Sequence, residues 1–237
     1  MQRRFGLGQP ITQGAKYLLI AMVGVSLLFA LTPADVQVEM LRYLIATDHS
    51  VWKQGYIWQL LTTALIPVRP DGSLDFVSLI FQGLMLYMFL PTLENWWGTK
   101  RFLRFALWTT LAGSVAGTLV GLALPGTHVV SGLDPFVFAG VIAFGVLFAD
   151  RQVQFFGVVP MTGKQLTIGM SVVVGAFLII GQAWAEGASM AAAVLLALGL
   201  TTGKFAPKLW YLKWKQKRIR KKLRIVKDDD EPKKWMN

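Results

Sequence analysis

Six stretches of the chain are almost uninterruptedly apolar, running near Lys16 to Leu31, Leu74 to Leu93, Phe102 to Leu124, Asp134 to Ala149, Gln165 to Trp184 and Gly187 to Gly203. A helix that crosses the hydrocarbon core of a bilayer needs about 20 such residues. The pattern therefore predicts an all-α membrane protein with six transmembrane helices, the first and fourth short enough that their ends must reach into the interface. About 40 residues separate the first two stretches, and the other connections are short. Within that long loop, at about 34–73, Val36, Met40, Leu41, Leu44 and Ile45 recur at helical spacing with Glu39 and Arg42 between them. Such a helix lies in the membrane interface or on a small extramembrane cap. Trp52, Trp58, Trp96, Trp97, Trp184, Trp210 and Trp214 fall near span ends, where indoles anchor at the lipid–water boundary.

Composition agrees with the pattern: the 237 residues are 54% hydrophobic and only 16% charged, against about 25% charged in soluble domains. The net charge of +11 sits mostly at one end, because from Lys204 onward there are 13 Lys or Arg against four acids. The chain thus divides into residues 1–15, a membrane domain at 16–205, and a basic tail at 206–237. Orientation follows from Lys and Arg in the connections. Arg3, Arg4 and Lys16, then Lys100, Arg101 and Arg104, then Arg151 and Lys164, and finally the tail mark one side, which places both termini in the cytoplasm. Arg3-Arg4 before an apolar run is also the pattern of a cleaved twin-arginine signal, but no small-residue cleavage site follows. Loop charge and brevity point to a bacterial inner membrane. The absence of Cys removes thiolate metal sites, Fe–S clusters and a Cys nucleophile, and no cofactor or metal is expected.

Several motifs fall in a telling order. Trp58-Gln59-Leu60-Leu61-Thr62 closes the long loop, and Leu93-Glu94, Gly98 and Lys100-Arg101-Phe102 form the turn between spans 2 and 3. Gly113, Gly117 and Gly121 line span 3, and Phe155-Phe156 with Pro160 leads into span 5. Over residues 16 to 205 this set resembles the rhomboid intramembrane proteases: their Trp-Arg-x-Leu-Thr loop, their Leu-Glu…Gly…Arg-Phe turn and their connector into helix 5. The resemblance implies a six-helix rhomboid-like bundle. It also implies where catalytic groups would stand, namely a Ser at the start of helix 4, a His on helix 6, and an Asn and a His on helix 2 toward the oxyanion.

At those positions this chain carries Asp134, Ser189, Gln82 and Ser78, respectively, and Pro135 follows Asp134. Neither Asp134 nor Ser189 supplies the nucleophile–base chemistry. A shifted register keeps Ser131-Gly132 as an alternative nucleophile, but the only histidines are His49 and His128, both in expected loops. An aspartyl dyad fails on distance, since Asp150 lies about 24 Å along a helix from Asp134. Asp134 before Pro135 reads as an N-cap and N1 pair, or else as part of a polar cavity facing Ser189 and Gln82. Gln82, Ser78 and Ser189 read as interhelical hydrogen-bonding groups or as the remnant of a client-binding cavity. The glycine stripe reads as close packing within the chain or as a dimer face.

The expectation is accordingly a pseudoprotease of rhomboid-like fold that binds transmembrane segments of client membrane proteins. The alternatives are an active serine endopeptidase using Ser131 and a small-solute transporter, the latter disfavoured by the lack of inverted repeats and of intramembrane charge. Partners are the bilayer, with anionic lipid at Lys213 to Lys227, and client proteins. Nucleic acid is not expected, because Asp228 to Glu231 repel phosphate and nothing in the tail reads bases.

Overall fold

The computed structural model describes residues 11–126, 128–155 and 159–202. Arg3 and Arg4, Phe156 and the basic tail at 206–237 lie outside the described residues.

Helix α1 spans Gln13–Leu31. The long loop follows, holding α2 at Ala34–Leu44, strand β1 at Ala46–Thr47, α3 at Asp48–Trp52, α4 at Gln59–Thr62 and a 3-10 turn at Thr63–Leu65. Next come α5 at Phe76–Met88, α6 at Leu90–Trp97 and α7 at Thr99–Ala123. Strand β2 at Val129–Val130 pairs antiparallel with β1, tying the long loop to the connection before α8 at Asp134–Leu147. A hairpin of β3 at Gln152–Phe155 and β4 at Val159–Thr162 leads to α9 at Gly163–Ile180, and α10 at Trp184–Thr201 ends the described chain. The two small sheets were not expected from an all-α reading; β1–β2 ties two loops together, β3–β4 lies within the connection from α8 to α9, and neither adds to the helical core.

Among the described residues four helices, α1, α7, α9 and α10, are long and apolar enough to cross a membrane, and α5 with α6, bent by 40°, makes a fifth if the pair is one span. Pro91 explains the bend: it has no N–H for the Tyr87 carbonyl, and its ring crowds that turn of helix. The expected second span thus starts later, at Phe76, because Asp75 caps it, and runs on to Trp97. Trp184, expected to end the fifth span, instead begins α10, because Gln182 at φ 52° turns the chain within three residues. Helix α8 has 14 residues, or about 21 Å at 1.5 Å per residue, too short to cross by itself. Ten of those residues are buried, so its neighbours surround it instead of lipid.

That central position organises the core. Phe136 of α8 meets Phe102 and Phe105 of α7 at ring separations of 5.7 and 6.1 Å, and Phe144 meets Phe89 at 5.9 Å. The glycine stripe of α7 packs within the chain. Gly113 lies against Pro135 and Ser189, Gly117 against Val130, Ser189 and Ala185, and Gly121 against His128 and Asp48. On α10, Ser189, Ala193 and Ala197 recur every four residues and are all buried, so small residues on both helices bring the backbones close.

The expected amphipathic helix exists as α2. Met40, Leu41 and Leu44 pack on Phe29, Ile45, Ile66, Val68 and Leu74, while Val36, Val38 and Tyr43 stay exposed. The last four carbonyls of any helix lack partners within it, and here the residue after the helix supplies one donor and the loop motif the other three. Ile45 N–H donates to Leu41 O, Gln59 Nε2 to Arg42 O at 2.8 Å, Trp58 Nε1 to Tyr43 O at 2.9 Å and Thr62 Oγ1 to Leu44 O at 2.7 Å. Gln59 is fully buried and also accepts from Ser50 Oγ. Replacing Gln59 with Leu removes both bonds, and since each leaves a buried or half-buried group without its partner, the expected loss is about 1–2 kcal/mol. Faster proteolysis of the 42–62 loop in detergent is the readout; unchanged cleavage would show that the staple does not hold the loop.

Candidate functional site

The residues singled out in the sequence converge on one cavity of about 120 Å³, at the end of the bundle where α5, α8 and α10 begin. Helix α5 enters through Asp75, whose carboxylate accepts from Val77 N–H at 3.1 Å, Ser78 N–H at 3.2 Å and Ser78 Oγ at 2.9 Å. Side-chain oxygens at a helix N-cap satisfy the first free N–H groups in this way. Arg69 Nη2 stands 3.7 Å from the same carboxylate.

From the segment before α8, Ser131 Oγ donates to Val68 O at 2.9 Å and accepts from Val68 N–H at 3.1 Å. The hydroxyl is thereby used as a bridge between two loops. Gly132 follows with φ 75°, and a Cβ there would stand 2.5 Å from Gln82 Nε2. Both facts require glycine. Gln82, fully buried on α5, accepts from Leu133 N–H through Oε1 at 3.1 Å, while its Nε2 points toward Asp134 and closes no hydrogen bond of good geometry.

The N-cap reading of Asp134 is corrected: the cap position is Leu133, Asp134 is the first helical residue, and no side-chain capping bond forms. Gln82 holds the N–H of Leu133, which leaves the Asp134 carboxylate directed at the cavity. The reading of Ser78 and Ser189 as interhelical hydrogen-bonding groups is likewise corrected, whereas Gln82 does tie α5 to the start of α8. Ser78 bonds within its own helix cap, Gln82 bonds a backbone N–H ahead of α8, and Ser189 Oγ, at 1% exposure, has no partner.

From α10 come Ser189 and, one turn earlier, Glu186. The sequence analysis missed Glu186, Asp75 and Arg69 as members of this site. Two further acids stand at the same end of the bundle as Asp134: Asp75 caps α5 and Glu186 lies in the first turn of α10. A signal was available: the starts of three non-consecutive apolar stretches on one side each carry an acid. Neither His49 nor His128 lines the cavity. His128 packs instead at the far end of α7, its N–H donating to Asp48 Oδ1 at 3.3 Å. The arrangement is thus three carboxylates, three hydroxyls and one guanidinium, with no imidazole or amine among the described lining residues.

A second polar cluster lies beside the turn between α6 and α7. Glu94, 3% exposed, accepts from Gly14 N–H at 2.8 Å, Ala15 N–H at 2.9 Å, Thr12 Oγ1 at 2.5 Å and Thr99 Oγ1 at 2.7 Å. Its carboxylate therefore closes the N-terminus of α1 and joins it to α7. This gives the Leu93-Glu94 motif a structural task that spacing alone does not disclose.

A family model described as eukaryotic integral membrane protein (DUF1751) matches residues 16–203. No curated protein matches the chain. The eukaryotic description overturns the expectation of a bacterial inner membrane, which rested on loop charge and loop length; those features report orientation and do not distinguish one kind of cell from another. The match runs from the first turn of α1 past the end of α10, touching every helix described above, and the chain belongs to this family of eukaryotic integral membrane proteins.

Proposed function

We propose that this protein is a six-span, rhomboid-like membrane protein, inactive as a protease, that binds transmembrane segments of client membrane proteins. In this reading α8 counts as the sixth span, both termini face the cytoplasm, residues 16–205 form the membrane domain, and the basic tail at 206–237 rests on anionic lipid. One observation carries the reading. Asp134 and Ser189, at the positions that the resemblance assigns to nucleophile and base, meet Ser78 and Ser131 around a single cavity with Gln82 behind it. A rhomboid-like arrangement of the chain accounts for this convergence, and the residues present favour binding over catalysis. A serine nucleophile needs a neighbouring base, whereas Ser131 is engaged in both directions by Val68 and Ser189 forms no hydrogen bond.

A way in from the side supports the same reading. Helix α9 buries only Gly163 and Leu166, while Val172, Val173, Phe177, Ile179 and Ile180 are exposed. Of the four long membrane helices it is the one least enclosed by the rest of the bundle, and elements with few buried contacts open most readily.

Two measurements test the proposal. With a benzophenone amino acid at Met190, which lines the cavity, the full-length protein in membranes is expected to crosslink a single-span model segment; with the same group at Leu195, 67% exposed, it is not. Equal crosslinking at both positions would sink the binding reading. Fluorophosphonate labelling is expected to be absent beside an active rhomboid protease labelled in parallel. Labelling that disappears in Ser131→Ala would make this an unusual serine protease.

A further inference from the structure

The cavity has a charge imbalance that its own residues leave open. Asp75 is matched by Arg69 and by the hydroxyl and N–H of Ser78. Asp134 and Glu186 also face the cavity, and among the described residues neither forms an ion pair. The Ser189 hydroxyl lines the same cavity, 1% exposed and without a partner. A buried polar group in that state calls for a ligand that can bond to it.

We propose that the cavity selects client segments bearing a lysine or arginine close to the end that reaches Asp134, Glu186 and Ser189. This inference rests on the client-binding reading above and gives that site its selectivity. An ammonium carries three donors and no acceptor, and a guanidinium five. Either can bond two carboxylates and one hydroxyl at once, and charge-assisted bonds of this kind are about twice as strong as neutral ones. A metal ion fits less well, since no group of three His, Asp or Glu among the described residues stands close enough to ligate one. A neutral helix end brings too few donors, and an acidic one adds a fourth negative charge. The client side of the equilibrium points the same way. A cation inside a transmembrane segment is costly in lipid unless it is paired, so such a segment gains by leaving lipid for this cavity, whereas a uniformly apolar segment does not.

The test uses the full-length protein in membranes with the benzophenone at Met190, and three single-span leucine–alanine segments that differ only in a guest residue near the cavity end: Lys, Leu or Glu. The Lys guest is expected to crosslink about tenfold more than the Leu guest, equivalent to about 1.4 kcal/mol, and the Glu guest less than Leu. Glu186→Gln, at an exposed position, is expected to lower the ratio of Lys to Leu capture, both read in the same variant, several-fold; Asp134→Asn combined with it is expected to bring Lys down to the Leu level. Equal capture of all three guests, or a Lys preference that survives Glu186→Gln, would overturn the selectivity while leaving client binding in place. Capture of none of the three would overturn both.

Discussion

Glu94→Ala is expected to cost about 3–5 kcal/mol of stability, because each buried donor left without a partner costs roughly 1–3 kcal/mol and four lose their acceptor together. Two are backbone N–H groups, of Gly14 and Ala15, at the start of α1. The first N–H groups of a helix have no partner within it, and no capping side chain is present at Thr12 to take over. The other two are the hydroxyls of Thr12 and Thr99, which can turn to other acceptors and so lose less. Glu94→Gln keeps one acceptor oxygen but presents an amide NH₂ to a ring of donors, and is expected to fall between Ala and wild type.

Gly14 gives a second view of the same joint. A Cβ there would stand 2.9 Å from Glu94 Oε2, so Gly14→Ala is expected to destabilise in the same direction by a smaller amount. Because the chain has no cysteine, Ser26→Cys in the buried face of α1 makes a single-thiol reporter with little change of size. Maleimide labelling of that thiol in mild detergent should accelerate in the order wild type, Gln, Ala. Equal rates in wild type and Glu94→Ala would show that α1 is held by its apolar face alone.

The membrane helices were legible because lipid demands long apolar runs, and the runs are there to be counted. The exceptions have local causes. The bend between α5 and α6 follows from Pro91, which a hydropathy window averages away, and α8 passes as a span on apolarity although its length is short. Of the site, the sequence identified Asp134, Ser189, Ser78, Gln82 and Ser131 through their positions in motifs, and four of these line the cavity. The bonds they make were not legible. Asp134 before Pro135 has the residue types of a cap, yet Leu133 takes the cap position, its N–H held by Gln82, 51 positions upstream. Glu186 was overlooked because it falls between two apolar runs, where an acid looks like ordinary loop. Its place beside Asp134 comes from the packing of α10 on α7 and α8.

That packing is the object of the remaining prediction. Gly117→Leu is expected to destabilise by about 3 kcal/mol or more, at or beyond the upper end of the range for forcing extra carbons into a tight core. Even the first added carbon would stand 2.7 Å from Val130 Cγ2, 3.0 Å from Ser189 Cβ and 3.1 Å from the Ala185 carbonyl oxygen. The last of these is backbone of α10 and cannot rotate away. Relief then requires α10 to move off α7, which carries Ser189 and Glu186 away from Asp134 and should abolish crosslinking from Met190 to a Lys-bearing segment together with the loss of stability. Gly175 supplies the contrast. It too lies in a membrane helix, but nothing stands within 4 Å of its would-be Cβ, so Gly175→Leu adds apolar surface facing lipid and removes a flexible residue from a helix interior, where glycine costs about 0.5–1 kcal/mol relative to Ala. The two variants make the same chemical change in two helices of similar hydropathy. If both unfold the protein or neither does, α7 and α10 do not meet through the glycine stripe, and the cavity that depends on their contact loses its third wall.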